Sequence, residues 1–427
     1  MAGNGLAGSG APGRAGALAA DSPVAPDLLK ADGVDRVHVD RFGYAAELEA
    51  FRASALTLGS ALLADGGEGS AGNVVSSPGS LVIALAMLRA GASGEIAAEM
   101  DEMLGFPVSN RDEAMNALLA SLAGFDGDPG TVNARNPPRK PVMHAANGLF
   151  VNQNVPAGHG YLDTLARHFG TGVYPVDFAD EAATKPALDA WVDRNTGGRI
   201  KEAPGEYDHF TTFSLLNALF FAAAWRSPFD PGNTSEGSFT LGGGEEIRVP
   251  TMYQALELAY AEGAGWRAVD LPYADGFVMR LVLPAPGAGP DPLTAAKLAE
   301  IAAALDPAAA VFTQIALPRW DHKSSFDLRE VLGSLGLDTT LTTTEGFDAI
   351  QPGLTITQAA QAASITVAEK GTVAAAVTRI DGMVTGVPPE PEQTIDFDRP
   401  FHYQIVHTET GLPLVMGMVM DPRPNWA

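Results

Sequence analysis

The sequence predicts an α+β fold built on large mixed β-sheets. Helical patterning concentrates in the first half of the chain. Strand-like runs follow it without the regular strand–helix alternation of a parallel α/β fold. The third observation is size: 427 residues, 46% of them hydrophobic, supply ample core for one large domain or two ordinary ones. Residues 73–92 read as a strand end followed by a helix. Ser77 is placed to cap it, Pro78 suits its first turn, and Leu81, Ala84, Leu85 and Leu88 form one apolar face. Residues 126–141 hold four prolines and two glycines and read as a surface loop. Residues 146–151 and 215–221 read as buried strands, the second with Asn217 alone among apolar neighbours. Further strands follow at 277–283 and 311–317, the latter with Val311, Thr313, Ile315 and Leu317 on one face. Residues 401–407 and 412–419 flank Thr410-Gly411 and read as a terminal hairpin.

Charge excludes several function classes. Acidic residues outnumber basic ones 51 to 27, for a net charge of −24. That balance repels nucleic acid and anionic membranes and favours solubility. The absence of cysteine removes disulfides, thiolate metal sites and a cysteine nucleophile. Residues 1–27 are rich in Gly, Ala and Pro and show no signal-peptide h-region, and the longest apolar run, 218–225, is too short to span a bilayer. From sequence alone the expected location is therefore cytoplasmic.

Catalytic and cofactor motifs are missing. Gly3-Asn4-Gly5-Leu6-Ala7-Gly8 spells G-x-G-x-x-G, but it follows no strand and opens no apolar helix. No P-loop, H-E-x-x-H or G-x-S-x-G elbow occurs. The eight histidines are scattered, and His144 and His407 sit in strand-like runs as satisfied core or edge residues. Asn233-Thr234-Ser235 fits the glycosylation sequon and reads as a turn. The chain is expected to be no enzyme and to hold no metal or cofactor.

One segment stands out. Residues 369–378 give a polar entry, a glycine, and then a run of small and β-branched residues without proline. As a strand, Thr372, Ala374, Ala376 and Thr378 share one face of small side chains, able to slip over a packed core. The other face, Val373, Ala375, Val377 and Arg379, ends in a charge. Residues 361–377 are also alanine-rich, so the window by itself is equally a helix or linker.

Taken together, the motifs resemble a serpin over residues 37–422. Asn73-Val74-Val75-Ser76-Ser77-Pro78-Gly79-Ser80, Ala146-Asn147-Gly148-Leu149-Phe150 and the run from Trp191 through Thr196-Gly197-Gly198-Arg199-Ile200 are similar to serpin signatures. So are Asn217-Ala218-Leu219-Phe220-Phe221 with Trp225, Pro228 and Phe229, then Leu271-Pro272-Tyr273, Leu283-Pro284, Leu317-Pro318, Arg399-Pro400-Phe401 and Met416-Gly417. The resemblance implies a disordered tail (1–36) ahead of one serpin domain (37–427), with a reactive loop at about 369–398, in an inhibitory and prokaryotic member. Family habit would place such a protein outside the cell.

The resemblance also implies roles for residues. Glu369 and Gly371 would start the hinge, and Thr372, Ala374, Ala376 and Thr378 would face inward in the inserting strand. Thr385-Gly386 would be the cleaved bond, with Pro388-Pro389 just beyond it. Ser77, Ser80, Asn217 and Gln361 match the polar cluster under the sheet, Gln361 standing where a histidine is common. Arg319, Glu369 and Trp225 would latch the hinge through a half-exposed ion pair worth about 1 kcal/mol. Arg379 lies within the inserting segment and is discounted as the cleavage site. Gln361-Ala362-Ala363, Met418 and the long stretch 390–398 depart from the common pattern. The partner implied is a serine protease of the elastase-like or subtilisin-like kind, met by a monomer. The alternatives are a non-inhibitory binding or chaperone module and an inhibitor of papain-like cysteine proteases.

Overall fold

In the computed structural model the residues described are 24–40, 42–133, 135–207, 209–287, 293–372 and 390–423. They form nine α-helices and two mixed sheets. The helices are α1 (Ala45–Asp65), α2 (Pro78–Ala90), α3 (Gly94–Leu104), α4 (Arg111–Leu122), α5 (His159–Thr164), α6 (Glu181–Asn195), α7 (Ala295–Leu305), α8 (Leu328–Ser334) and α9 (Asp338–Thr342). With strands numbered in chain order, the first sheet runs β1 (Glu68–Gly69), β11 (Trp320–Asp327), β12 (Gln358–Ala368), β13 (Gly371–Thr372), β5 (Phe213–Ala224), β3 (Val142–Asn152) and β4 (Tyr174–Val176). The second runs β14 (Gln393–Asp396), β10 (Ala310–Pro318), β7 (Glu246–Gly263), β8 (Trp266–Pro272), β9 (Phe277–Pro284), β15 (Phe401–His407), β16 (Pro413–Val419) and β2 (Val74–Ser76). Strand β6 (Thr234–Thr240) lies beside β7.

Strand β5 is buried at every position, which explains why its sequence is a continuous apolar run. Leu215, Leu219, Phe221 and Ala223 face the main core, while Leu216 and Ala218 pack under Leu188 and Trp191 of α6 on the outer face. Helix α2 is buried from Pro78 to Leu88, so the single apolar face read from the sequence understates it. Ser77 precedes α2 but does not cap it with its side chain, because its hydroxyl is committed to Asn217 across the core.

Residues 361–368, which suit helix or strand equally by composition, lie in β12. Pairing to β11 on one side and β5 on the other outweighs the helical preference of their alanines. The expected tail also looks different from residue 24 onward. Leu29 exchanges backbone hydrogen bonds of 2.8 and 3.0 Å with Val173 beside β4, and Arg36 Nη2 donates to the Asn116 carbonyl at 2.9 Å. The unpaired backbone beside an edge strand gives this segment its partner.

The core holds a neutral histidine. His322 on β11 is 1% exposed, and its Nε2 donates to the Asp421 carbonyl at 3.2 Å, while Nδ1 has no partner among the described residues. Burial pulls its pKa down to about 4. The unfolded ring binds a proton near its ordinary value of about 6.5, so the native state binds fewer protons between those limits. Stability therefore falls as the pH drops from about 6.5 to about 4, by on the order of 3 kcal/mol. Denaturant midpoints measured across this range should fall more steeply for the wild type than for His322→Gln. Parallel profiles would contradict the assignment.

Candidate functional site: an open slot in the mixed sheet

Strands β12 and β5 are parallel neighbours over part of their length only. They pair from Gln358 opposite Ser214 to Ala362 opposite Ala218, and then separate. Near their far ends β13 stands between them, with Thr372 opposite Val367 and Ala223 and Gly371 opposite Ala368 and Ala224. Between these two zones, no strand among the described residues joins residues 363–366 of β12 to residues 219–222 of β5. Each is held on its other side, by β11 and β3 respectively. Among the described residues the result is a slot in the middle of a sheet, entered at one end by β13.

The entrance demands particular residues. Gly371 has φ of +149°, and a Cβ there would lie 2.0 Å from the Ala223 carbonyl oxygen, so the strand can start only with glycine. Thr372 is 1% exposed, and its hydroxyl bonds the Tyr273 hydroxyl. Complete burial raises the Tyr273 pKa far above the ordinary phenol value, so the group stays neutral. Tyr273 stacks on Trp225 at 4.4 Å, and Trp225 Nε1 donates to the Ala368 carbonyl at 2.9 Å. The backbone N–H groups of Trp225 and Phe229 donate to the carbonyls of Lys370 and Glu369, fixing the turn between β12 and β13.

Glu369 and Arg319 do meet, through Oε1 and Nη2. The Thr234 hydroxyl donates to the same carboxylate oxygen at 2.7 Å. The Glu369 side chain is 6% exposed and that of Arg319 32%, so the pair is more buried than the half-exposed contact expected. Arg319 Nε faces no acceptor among the described residues. Breaking such a contact costs more than breaking a surface pair, because a buried carboxylate loses its cation.

Beneath the slot the predicted polar cluster is present. Gln361 Oε1 accepts from the Ser77 backbone N–H at 2.8 Å, and its Nε2 donates to the Ser77 carbonyl and, at 2.7 Å, to Asn217 Oδ1. The Ser77 hydroxyl also donates to Asn217 Oδ1. Asn217 Nδ2 donates to Ser80 Oγ at 2.8 Å and to Asn147 Oδ1 at 2.5 Å. Asn147 was missed as a member, although its position was legible: it is the residue opposite Asn217, each an amide flanked by small or apolar residues in its strand. Thr234 and Tyr273 were missed as well, since nothing local in the sequence links them to the hinge. Ala374, Ala376, Thr378, Thr385 and Gly386 lie outside the described residues.

The comparisons agree with this architecture. The family model described as Serpin (serine protease inhibitor) matches residues 53–422. Human neuroserpin is 30% identical over 82% of this chain and 86% of its own length. Bovine plasminogen activator inhibitor 1 is 30% identical over 82% and 87%. Among solved structures, the thermophilic serpin tengpin in its native state superposes with a TM-score of 0.76 at 22% identity, over 93% of this chain and all of that one. Thyroxine-binding globulin in complex with thyroxine gives 0.72 at 22%, over 88% and 98%. The relatives named by sequence are mammalian, and the prokaryotic origin expected from sequence finds no support in them. Family match, sequence relatives and fold converge: the chain belongs to the serpin family.

Proposed function

We propose that this protein inhibits a serine protease as a suicide substrate, its loop filling the slot after cleavage. The observation that carries this reading is β13, a glycine-started strand already seated in the entrance in antiparallel register with both neighbours. Continued in the same register, Ala374 falls between Ile365 and Phe221, and Ala376 between Ala363 and Leu219. Thr378 then falls between Gln361 and Asn217. All lie on the inward face that Thr372 occupies. Two alanines thus meet apolar neighbours, and the threonine hydroxyl arrives at the polar cluster.

In this mechanism the protease serine adds to the Thr385 carbonyl, the Gly386 amine leaves, and an acyl-enzyme remains. The freed loop then adds as a strand, as in strand-addition recognition. About a dozen backbone hydrogen bonds at roughly 1 kcal/mol each supply on the order of 10 kcal/mol. That is enough to drag the protease along and distort its oxyanion hole, which stalls deacylation. The chain performs no chemistry of its own and acts as a monomer. The pairing of Thr385 with the preceding Val384 favours elastase-like or subtilisin-like targets. The runner-up is a carrier or binding module, because one structural neighbour is a complex with thyroxine.

Two variants test the reading. Ala376→Arg leaves every described contact in place but sets a charge on the inward face of the inserting strand, opposite buried Leu219 and Ala363. Across a protease panel on denaturing gels, the wild type should give a covalent complex with at least one serine protease. Ala376→Arg should be cleaved by the same enzyme without complex. Equal complex yields would overturn the insertion mechanism, and complex only with cysteine proteases would favour that target class instead.

The second variant concerns the latch. Glu369→Lys sets two cations together beside Thr234 and should loosen the entrance by about 2–3 kcal/mol, discounted for the partial exposure of Arg319. It should polymerise on mild heating while wild type stays monomeric, because an opened sheet accepts another molecule's loop. The charge-swapped Glu369→Lys, Arg319→Glu should recover much of the monomer. Equal polymerisation of single and double variants would eliminate the pair as the latch.

A further inference from the structure

Positive charge gathers at the entrance of the slot, against the sign of the chain as a whole. The proline-rich segment 126–141 leads into β3 and is fixed there by two contacts. Val132 packs with Phe220 and Ala222 of β5, and the Pro138 carbonyl accepts from the Ala224 N–H at 2.8 Å. Lys370 Nζ donates to the Arg135 carbonyl at 3.3 Å, which joins the turn between β12 and β13 to the same segment. Arg226 follows Ala224 by two residues, its N–H held by the Pro272 carbonyl. Arg135, Arg139, Lys140, Arg226 and Lys370 thus share one rim. The first four are exposed and Lys370 is half-buried.

Elsewhere cations are paired with carboxylates, as in Arg52–Asp306, Lys201–Asp193 and Arg399–Asp398. None of these five is in an ion pair among the described residues. Lys370 ties down its turn, but the other four side chains hold nothing in place among the described residues. In a chain of net charge −24 they make a local field of the opposite sign. Carboxylates border the rim. Asp126 and Asp128 lie on the same segment, Asp230 follows Phe229, whose N–H holds the Glu369 carbonyl, and Asp275 follows Ala274, whose N–H holds the Ala224 carbonyl. A long polyanion laid across the rim would run on into these carboxylates and be repelled, whereas a short anionic patch on a folded partner would not. The chain that carries residues 385–386 leaves the sheet at Thr372, so a protease engaged on it is held within reach of the rim.

We infer that Arg135, Arg139, Lys140, Arg226 and Lys370 form a docking surface for a carboxylate-bearing patch on the target protease, outside its substrate cleft. The surface speeds encounter and selects proteases that are acidic at that patch. It rests on the inhibitory reading above but is a separate claim, because it acts on association, before cleavage, and leaves strand insertion alone. In about 0.1 M salt, charges more than about 10 Å apart are largely screened. The remote carboxylates that make the chain acidic then count for little, and the rim in contact with the partner decides the sign.

The test takes the serine proteases that form the covalent complex, each as purified and after succinylation of its lysines, which turns surface cations into anions. Association rate constants, normalised to activity on a small neutral substrate, are measured in about 0.1 M and about 1 M NaCl, where the screening length is about 10 and about 3 Å. On wild type, succinylation should raise the rate roughly tenfold at the lower salt and change it little at the higher. The net charge of the chain alone gives the opposite sign. Arg139→Glu with Lys140→Glu should make the succinylated protease the slower one and leave the stoichiometry of inhibition unchanged. Arg135→Gln with Arg226→Gln should fall between, which keeps the test if charge reversal harms folding. Lys297→Glu, on α7, should behave as wild type. A succinylated protease that reacts more slowly with wild type, or a preference that survives in Arg139→Glu, Lys140→Glu, would overturn the docking surface and leave inhibition standing. Acceleration by a heparin oligosaccharide through the same residues would assign the rim to a free polyanion and overturn it too. No complex with any serine protease would overturn the inhibitory reading, and the docking surface with it.

Discussion

The structure turns on an incomplete ladder in the middle of its seven-stranded mixed sheet. Residues 363–366 and 219–222 are tied to outer neighbours but not to each other. A strand interior normally has its backbone groups paired, and each pairing deferred is free energy still available. Filling this gap requires a strand, and β13 already stands at one end of it. In the proposed mechanism the neighbouring features serve either to admit that strand or to delay it.

The two ends of the slot are built from different physics. At the entrance, close approach decides: Gly371 has no space for a side chain, and Thr372 fits against Tyr273 stacked on Trp225. Beneath it, polar satisfaction decides. Ser77, Ser80, Asn147, Asn217 and Gln361 exchange hydrogen bonds inside an apolar core, so parting β12 from β5 must break a connected network. Gln361 bridges the two strands without a group that titrates near neutrality.

Much of this was legible in the chain. The mixed α+β class, the strand carrying Asn217, the terminal hairpin and the Glu369–Arg319 pairing follow from apolar periodicity and the serpin motifs. What stayed hidden depends on long-range approach. Thr234 and Tyr273 sit far in sequence from the hinge they support, and no local pattern links them. Ser77 has the composition of a cap, yet a buried partner outcompetes the helix end for its hydroxyl. His144 reads as an edge histidine because its strand runs past α6, and only the fold brings Asn195 and Asp126 to its two nitrogens. Residues 24–36 carry the composition of a tail but find unpaired backbone beside β4.

Hydrogen exchange at the slot, read before and after a single cut within residues 373–389, bears most directly on the central claim. In the uncut protein the slot-facing amides of 219–222 and 363–366 should exchange faster than those facing β3 and β11. After the cut they should become the most protected amides of the sheet, as a new strand pairs with both banks. Unchanged exchange at these residues in fully cut protein would contradict the account.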